Sequence, residues 1–255
     1  MAERSVVARR GEAAGLAGPA AAFSPVAVRS TLQDGVYQQL RHALMTGLFD
    51  PGQTLTVAVL AEGCRVSQMP VREALRRLAA EKAVEIAASG SARVPAVSPA
   101  RLADLCRARR EVEGFAAELA AAQVTAAGLA AVEAAAAAHA AARGDLLALL
   151  AHNRDFHFAL YRASGSEVLT GIIETLWLRF GPYMRLLTLH LGPGFEPGFD
   201  APRPEVGFRF HEAALRALRA RDPAAARAAI AADIGNTEAL LAGLLGRETN
   251  RRAAS

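Results

Sequence analysis

Residues 67–78 read Ser67-Gln68-Met69-Pro70-Val71-Arg72-Glu73-Ala74-Leu75-Arg76-Arg77-Leu78, and this stretch decides how the rest of the chain is interpreted. The pattern predicts a helix that begins after a capping serine, with a proline in the first turn, where the missing N–H costs nothing. Val71, Ala74, Leu75 and Leu78 are spaced to form one apolar face. A shorter helix fits just before it, followed by a turn at 63–66. Such a pair indicates a helix-turn-helix, whose second helix enters the major groove of DNA.

The surrounding residues favour a DNA-binding domain over an ordinary helical hairpin with solvated arginines. Residues 32–48 predict an amphipathic helix, and the turn Asp50-Pro51-Gly52 follows it. Beyond the second helix, residues 81–86 and 92–94 predict two short strands joined by a tight turn at 88–91. Three helices followed by a two-stranded wing make a winged helix-turn-helix, which we assign to residues 30–97.

Residues 36–97 resemble the DNA-binding domain of GntR-family transcription regulators. The run Pro-Val-Arg-Glu-Ala-Leu at 70–75, after a Val-Ser turn, is the most specific part of the resemblance. The sequence departs from the usual family pattern at three positions. Arg65 stands where the turn normally has Gly, while Gln68 and Met69 stand where Arg-Thr is common. Because Gln68 and Met69 begin the recognition helix, the preferred operator is expected to differ from that of better-known members.

The charge distribution excludes a non-specific polycation. The net charge is +4, but residues 30–97 carry only +1 and residues 98–246 carry −1, while each tail carries +2. Binding to DNA is therefore expected to depend on a few placed arginines and on dimerisation as well as on phosphate neutralisation. The two cysteines, Cys64 and Cys106, show no metal-ligand spacing, and we predict reduced thiols in a cytoplasmic, nucleoid-associated protein.

The second half of the chain is predicted to be all-helical. The periodicity places helices at about 99–122, 126–143, 145–164, 166–191, 204–220 and 223–246, with a Gly- and Pro-rich loop at 192–204. Residues 1–29 predict a disordered tail without a secretory signal, residues 247–255 predict a flexible tail, and no apolar run approaches the length of a membrane span. The predicted fold class is thus mainly α: a winged helix-turn-helix with a small two-stranded wing, followed at 98–246 by a helical bundle.

This half resembles the effector-binding FCD domain of the FadR-like branch of the GntR family. The resemblance covers residues 99–246 and rests on Asp104-Leu105, Arg109, Glu113, the runs 153–161, 163–165 and 211–214, and Asp233. In metal-binding members of that branch, one Asp and three His occupy four equivalent positions inside the bundle. Here Asn153 stands at the first position and Asp233 at the last, while His157 and His211 keep the family's histidines.

The four residues predict a divalent metal site. Asn153 and His157 are four residues apart, so they point from one helical face. Two imidazoles, a carboxylate and an amide oxygen suit Zn²⁺, with Ni²⁺ or Mn²⁺ as alternatives, and leave positions open for an effector carboxylate or water. The alternative is a polar pocket that binds a ligand directly, or a hydrogen-bonded cluster without an ion. The remaining histidines have no such ligand set and are expected to be ordinary surface or core residues: His42, His139, His152 and His190.

Three further residues are candidates for binding the carboxylate of an effector. Arg109 lies on the first helix of the bundle, four residues before Glu113, so an intrahelical salt bridge is the alternative to a ligand-binding cation. Tyr183 and Arg185 lie together in the run Gly-Pro-Tyr-Met-Arg at 181–185.

Contacts with DNA are predicted for the recognition helix and the wing. We expect Gln68 and Arg72 to contact base edges, Arg76 and Arg93 to contact phosphates, and the turn at 90–91 to approach the minor groove. The complete predicted set is Arg41, Ser67, Gln68, Met69, Pro70, Arg72, Arg76, Gly90, Ser91 and Arg93.

Together these patterns predict a homodimeric regulator, acting as a repressor, whose binding to a pseudo-palindromic operator is controlled by a small organic, sugar or amino acid. One alternative is a constitutive DNA-binding protein with a decayed pocket. Another is an all-α metal-dependent enzyme using His157, His211 and Asp233. The sequence contains no phosphate loop, no Gly-x-Ser-x-Gly elbow and no general base at Glu-x-x-His spacing, which argues against the enzyme.

Overall fold

The structure is a computed structural model of the 255-residue chain and describes residues 30–87, 91–142, 145–191 and 206–253. We call residues 30–97 the head and residues 98–253 the body. The predicted tail at 1–29, the tip of the wing at 88–90 and the whole predicted loop at 192–204 lie outside the described residues. The elements of the head are α1 (Ser30–Met45), β1 (Thr54–Leu55), α2 (Val57–Cys64), α3 (Gln68–Ala80), β2 (Glu85–Ile86) and β3 (Ala92–Arg93).

Both predicted strands of the wing are confirmed as β2 and β3, and in the described part of the chain β1 joins them as a third strand that the sequence did not predict. The strands are antiparallel in the order β1-β3-β2, and Arg93 lies opposite both Thr54 and Glu85. β1 has only two residues and follows a turn directly, so it is too short to produce an alternating apolar pattern.

The core of the head is formed by the predicted apolar face of α3. Val71 and Leu78 are fully buried, and they pack with Leu40 and Leu44 of α1. Burying side chains of this kind stabilises a fold by about 1.5–3 kcal/mol each. The hydroxyl of Tyr37 on α1 donates a hydrogen bond of 2.6 Å to Glu81, which ties α1 to the end of α3.

The described residues of the body form a bundle of six helices, whose boundaries lie within a few residues of the predicted ones except at the C-terminus. There, α9 continues to Ala253, which corrects the predicted flexible tail at 247–255. Residues 247–253 contain no proline, and arginines near a helix C-terminus favour its dipole, so nothing in the sequence stops the helix. The helices are α4 (Pro99–Gln123), α5 (Ala126–Ala141), α6 (Leu146–Arg162), α7 (Glu167–Leu191), α8 (Val206–Ala220) and α9 (Pro223–Ala253).

Side-chain caps fix where three of the body helices begin. Ser98, Thr125 and Asp145 accept hydrogen bonds from the backbone N–H groups of the first turns of α4, α5 and α6. A cap of this kind is worth about 1 kcal/mol. The predicted capping residue of α3, Ser67, holds the N-cap position, but its hydroxyl makes no capping bond.

The body helices pack around α4 and α9, with α8 on α9 and α5 on α6, while α7 contacts both α4 and the head helix α1. Residues 223–247 of α9 are apolar enough by length and composition to cross a membrane, with a mean hydropathy of 1.3 over the most apolar window. This stretch is mostly alanine and leucine, and its buried side packs against α4 and α8, as expected of a core helix.

Candidate nucleic-acid interface and candidate metal centre

Half of the predicted DNA-contacting residues lie on the solvent face of α3 or at its N-cap. Ser67, Gln68, Met69, Arg72 and Arg76 are all exposed, and the Met69 side chain is 69% exposed. The Arg72 guanidinium donates a hydrogen bond of 3.3 Å to the Gln68 amide oxygen, one turn earlier. The first two turns of the helix therefore present an amide, a thioether and a guanidinium on one surface, which are groups suited to contacting base edges.

Two residues predicted to contact DNA are placed elsewhere. Pro70 is buried, because it packs with the apolar face of α3, so its ring supports the helix start from inside the head. The Arg41 side chain is only 16% exposed, and its guanidinium pairs at 2.9 Å with Glu174 of α7, in the body. Pro70 thus lies within the head and Arg41 at the boundary between head and body, and a contact with DNA stays a prediction for both.

The remaining predicted phosphate contacts are exposed. Arg76 pairs with Glu73 at 2.8 Å on the surface of α3, where such a pair contributes little to stability and releases easily. Arg93 of β3 donates a hydrogen bond of 3.0 Å to the carbonyl oxygen of Gly52. Ser91 lies at the start of β3, and Gly90 is outside the described residues.

In the body, three of the four predicted metal ligands come together. His157 of α6, His211 of α8 and Asp233 of α9 each offer a ligand atom, and these atoms lie within 4.8 Å of one another. The Asp233 carboxylate oxygen lies 3.1 Å from Nε2 of His157 and 3.8 Å from Nε2 of His211. All three side chains are buried. Asn153, the fourth predicted ligand, is half-buried one turn before His157.

A chain of buried hydrogen bonds fixes which nitrogen of His157 faces Asp233. Arg109 donates to Glu113 from Nε and Nη2, at 2.6 and 3.3 Å. The Tyr161 hydroxyl gives its only proton to Glu113 at 2.5 Å, and Nδ1 of His157 lies 2.9 Å from the same hydroxyl. Nδ1 must therefore carry a proton and donate it to Tyr161.

That tautomer has a chemical consequence. With the proton on Nδ1, a neutral His157 directs the lone pair of Nε2 at a carboxylate oxygen 3.1 Å away, and two acceptors at that distance repel. The contact is stable only if a proton or a cation lies between or beside them. The network thus prepares Nε2 of His157 either as a metal ligand or as the charged partner of Asp233.

His211 provides a second nitrogen without a partner. Its Nε2 is buried and has no hydrogen bond within the described part of the chain, while its Nδ1 lies 3.1 Å from Nδ1 of His139. Its ring stacks on Phe156, with the ring centroids 3.9 Å apart. A buried ring nitrogen left unpaired is costly in a native protein, so its place beside Asp233 indicates a ligand.

The pKa values of the cluster residues indicate neutral histidines beside an ionised carboxylate. Burial lowers the pKa of His211, and burial together with the neighbouring histidines lowers the pKa of His139 to about 3, so both rings are neutral near pH 7. Burial alone would raise the pKa of Asp233, but the imidazoles of His157 at 3.1 Å and His211 at 3.8 Å outweigh it and hold that pKa below its usual range. An ionised carboxylate therefore lies beside neutral imidazole, which is the protonation state that metal binding requires.

His139 is a part of this site that the sequence did not predict. The sequence predicts an ordinary surface or core residue; the side chain is indeed buried, but its Nδ1 also contacts Nδ1 of His211 at 3.1 Å. The only signal in the sequence is a histidine in the last turn of an otherwise Ala-rich helix. Because its partner comes from another helix, no spacing along the chain could have identified it.

The three predicted effector-binding residues have structural partners instead. Arg109 is 4% exposed, bonds Glu113 in the salt bridge named as its alternative, and lies over the rings of Trp177 and Phe180. The Tyr183 hydroxyl donates a hydrogen bond of 3.0 Å to the carbonyl oxygen of Ser98, the residue before α4. Nε of Arg185 donates to Asp50 of the head at 2.6 Å. Arg109 thus supports the cluster of His157, His211 and Asp233 through Tyr161, while Tyr183 contacts the residue before α4 and Arg185 contacts the head.

Comparisons with known proteins agree with this architecture. Residues 32–94 match the family model of bacterial regulatory proteins of the gntR family, and residues 104–236 match that of the FCD domain. The chain is similar to the HTH-type transcriptional regulator McbR of Escherichia coli (strain K12), at 34% identity over 168 residues, covering 65% of this chain and 75% of that protein.

Two solved structures share the fold. The structure of E. coli McbR/YncC superposes with a TM-score of 0.75 at 30% identity, covering 83% of this chain and 97% of that chain. The crystal structure of a GntR transcriptional regulator from Rhodococcus sp. RHA1 superposes with a TM-score of 0.65 at 20% identity, covering 83% and 97% of the two chains.

Proposed function

Because the chain belongs to the GntR family of bacterial transcription regulators and carries an FCD domain, we propose that it is a repressor that binds a pseudo-palindromic operator as a homodimer and is controlled by a small carboxylate effector at a divalent metal in the body. The observation that carries the effector part of the proposal is the buried cluster of His157, His211 and Asp233, in which one ring nitrogen has no partner among the described residues.

The DNA-binding part rests on the surface of α3. Its exposed first turns combine Gln68, Met69 and Arg72, and its opposite face is committed to the core of the head. Helix-turn-helix heads of this kind bind half-sites about one helical turn apart, so two copies of the chain are needed to cover a two-fold operator. Since the head is only weakly charged, one copy would bind too weakly through phosphates alone.

The metal part rests on the chemistry of the donor set. His157, His211 and Asp233, with Asn153 as a fourth donor, would hold the ion, and a bound Zn²⁺ with an open position would attract a carboxylate as a Lewis acid. The chain from Arg109 through Glu113 and Tyr161 keeps Nε2 of His157 free for that role. No cationic side chain is then needed for the effector carboxylate, which agrees with the engagement of Arg109 by Glu113.

Metal content of the full-length protein, purified without chelator, tests this proposal. We expect about one divalent ion per chain in the wild type and none in the His157→Ala/His211→Ala variant. Binding at one hundred times Kd stabilises a fold by about 2.7 kcal/mol, so adding Zn²⁺ to stripped wild-type protein should raise its Tm by roughly 5–11 °C.

His152→Ala is the matched control. His152 lies on the same helix, but its side chain is 40% exposed and pairs only with Asp155. This variant should keep its metal and its metal-dependent rise in Tm. If stripped wild-type protein neither regains metal nor gains stability, the cluster is an ion-free pair of His157 with Asp233, and the metal proposal is wrong.

A further inference from the structure

A polar cleft lies between the head and the body and is formed by α1, α6 and α7. Its volume is about 180 Å³, smaller than the roughly 300–1,000 Å³ of pockets for drug-sized ligands. Its residues are spaced to share one face of α1 and one face of α6, with one residue from α7. The lining consists of Gln38, Arg41, His42, Met45, Arg154, Asp155, Phe158, Arg162 and Glu174.

The charges in this cleft do not balance. Glu174 is paired with Arg41 at 2.9 Å, and Asp155 is paired with Arg154 at 2.8 Å. The guanidinium of Arg154 also contacts Nδ1 of His42 at 2.9 Å. Because a guanidinium can only donate, Nδ1 of His42 is the acceptor in this contact. Arg162 is left with no anionic partner within the described ranges, so the cleft carries one uncompensated positive charge.

A buried donor in the same cleft also lacks a partner. Nε of Arg41 is inaccessible to water and makes no hydrogen bond to any described residue, although the Nη2 atom of the same guanidinium bonds Glu174. Leaving a buried N–H of a charged group unpaired costs free energy that an oxygen atom would recover. The floor of the cleft is apolar, since Phe158 and Met45 are both buried.

The geometry points to a binding site for a small oxyanion, a carboxylate or a phosphate compound, in this cleft, with Arg162 and Arg41 as its cationic ligands. An anion there neutralises Arg162 through charge-assisted hydrogen bonds, and its small organic part rests on Phe158. The site is separate from the cluster of His157, His211 and Asp233, so it does not depend on the metal proposal.

Because the cleft lies between the head and the body, a ligand bound in it would affect how the two domains are arranged. Arg41 belongs to the head and Arg162 to the body, so a ligand held by both stabilises this one arrangement of the two domains. By linkage, anion binding and operator binding then change each other's affinity by the same factor. The cleft is thus a second point at which a metabolite controls the head.

Calorimetric titration of the full-length protein with inorganic phosphate and with succinate, at constant ionic strength, tests the site. We expect at least one of the two anions to bind the wild type at one ion per chain. Arg162→Met, which keeps the length of an exposed side chain but removes its charge, should weaken that binding roughly tenfold or more. Arg162→Lys should restore part of it. Arg107→Met, at an exposed arginine of α4 outside the cleft, should bind as the wild type does.

The relative affinities of the two anions show whether the site prefers phosphate compounds or carboxylates. Tighter binding of phosphate assigns the site to phosphate compounds, and tighter binding of succinate assigns it to carboxylates. The proposal is overturned if neither anion binds, or if Arg162→Met binds as well as wild type. It is also overturned if binding is lost in His157→Ala/His211→Ala while Arg162→Met retains it, because the anion would then occupy the metal cluster.

Discussion

Gly181 of α7 lies where the head touches the body, and replacing it with alanine tests how firmly the two are joined. A Cβ atom at this position would lie 2.0 Å from the carbonyl oxygen of Leu44 and 2.8 Å from its carbonyl carbon, at the end of α1. Both clashing atoms are backbone, so no side chain can rotate away. Restoring an ordinary contact of 3.4 Å requires α1 and α7 to separate by about 1.4 Å, the difference between the two distances.

The cost of that separation follows from the packing at the boundary. Overpacking a well-packed site typically costs about 1–3 kcal/mol, and a clash of backbone with backbone belongs at the upper end. For a chain of this size, 3 kcal/mol lowers the Tm by roughly 6–12 °C. If the head instead detaches from the body, the cost is limited to the free energy contributed by the contacts between them. The head and the body then unfold in two separate thermal transitions.

Gly171→Ala is the matched control, since Gly171 lies on the same helix. A Cβ atom there would meet nothing within 4 Å. In the middle of a helix, alanine is favoured over glycine by about 0.5–1 kcal/mol, so this variant should be slightly more stable than the wild type.

Differential scanning calorimetry and limited proteolysis of the linker at 95–98 measure both outcomes. Gly181→Ala should either unfold at a lower temperature or show two transitions with faster cleavage of the linker. A single transition at the wild-type temperature, with unchanged cleavage, would mean that α1 and α7 are not packed as described, and the reasoning would be refuted.

Two further predictions concern the head. Arg72→Ala should weaken binding to a selected operator by about 1–3 kcal/mol, whereas Arg93→Ala should weaken binding to all duplexes alike and reduce the slope of log affinity against log salt concentration by about 1. Fluorescence anisotropy over a salt series distinguishes the two variants. If Arg72→Ala bound the operator like the wild type, our assignment of the recognition helix would be wrong. Arg65 ends α2 in the left-handed region, at φ 55° and ψ 45°, so Arg65→Gly should relieve about 1–2 kcal/mol of strain against an entropic cost of about 0.5–1 kcal/mol, a net gain of up to about 1.5 kcal/mol. Arg65→Ala keeps the Cβ and should gain nothing, and equal urea midpoints for the two variants would contradict the prediction.

The helices were predictable because the sequence marks their ends. Pro99 and Pro223 open α4 and α9, and Thr125 and Asp145 cap α5 and α6. Such signals act within one turn, so they survive in any tertiary context. The wing strand β1 was missed because two residues form no pattern, and the end of α9 was missed because its last turns are polar and were taken for a tail.

The candidate site was predictable only where the family resemblance extends. His157, His211 and Asp233 were found because they occupy positions of a known pattern, and the structure brings them together. The contact of His139 with His211 and the pair of Arg41 with Glu174 were not predicted, because these partners are set by how separate helices dock. Docking depends on the shape of whole surfaces, which periodicity along one helix does not encode.

The helix α7 connects the cluster of His157, His211 and Asp233 with the head, so Gly181→Ala also tests whether the two communicate. The Trp177 ring lies 5.3 Å from the His157 ring, and one turn later Gly181 meets the backbone of Leu44. Pro182 follows directly; it lacks an N–H, so α7 is missing one hydrogen bond at the docking point and bends there more easily than elsewhere. A bound ion that displaces Trp177 could act on the head through this contact. In that case Zn²⁺ must change the operator affinity of the wild type and must leave that of Gly181→Ala unchanged. Both proteins must bind the metal equally. An equal effect of Zn²⁺ on operator affinity in both proteins would assign the coupling to another contact between head and body, such as the pair of Arg185 with Asp50.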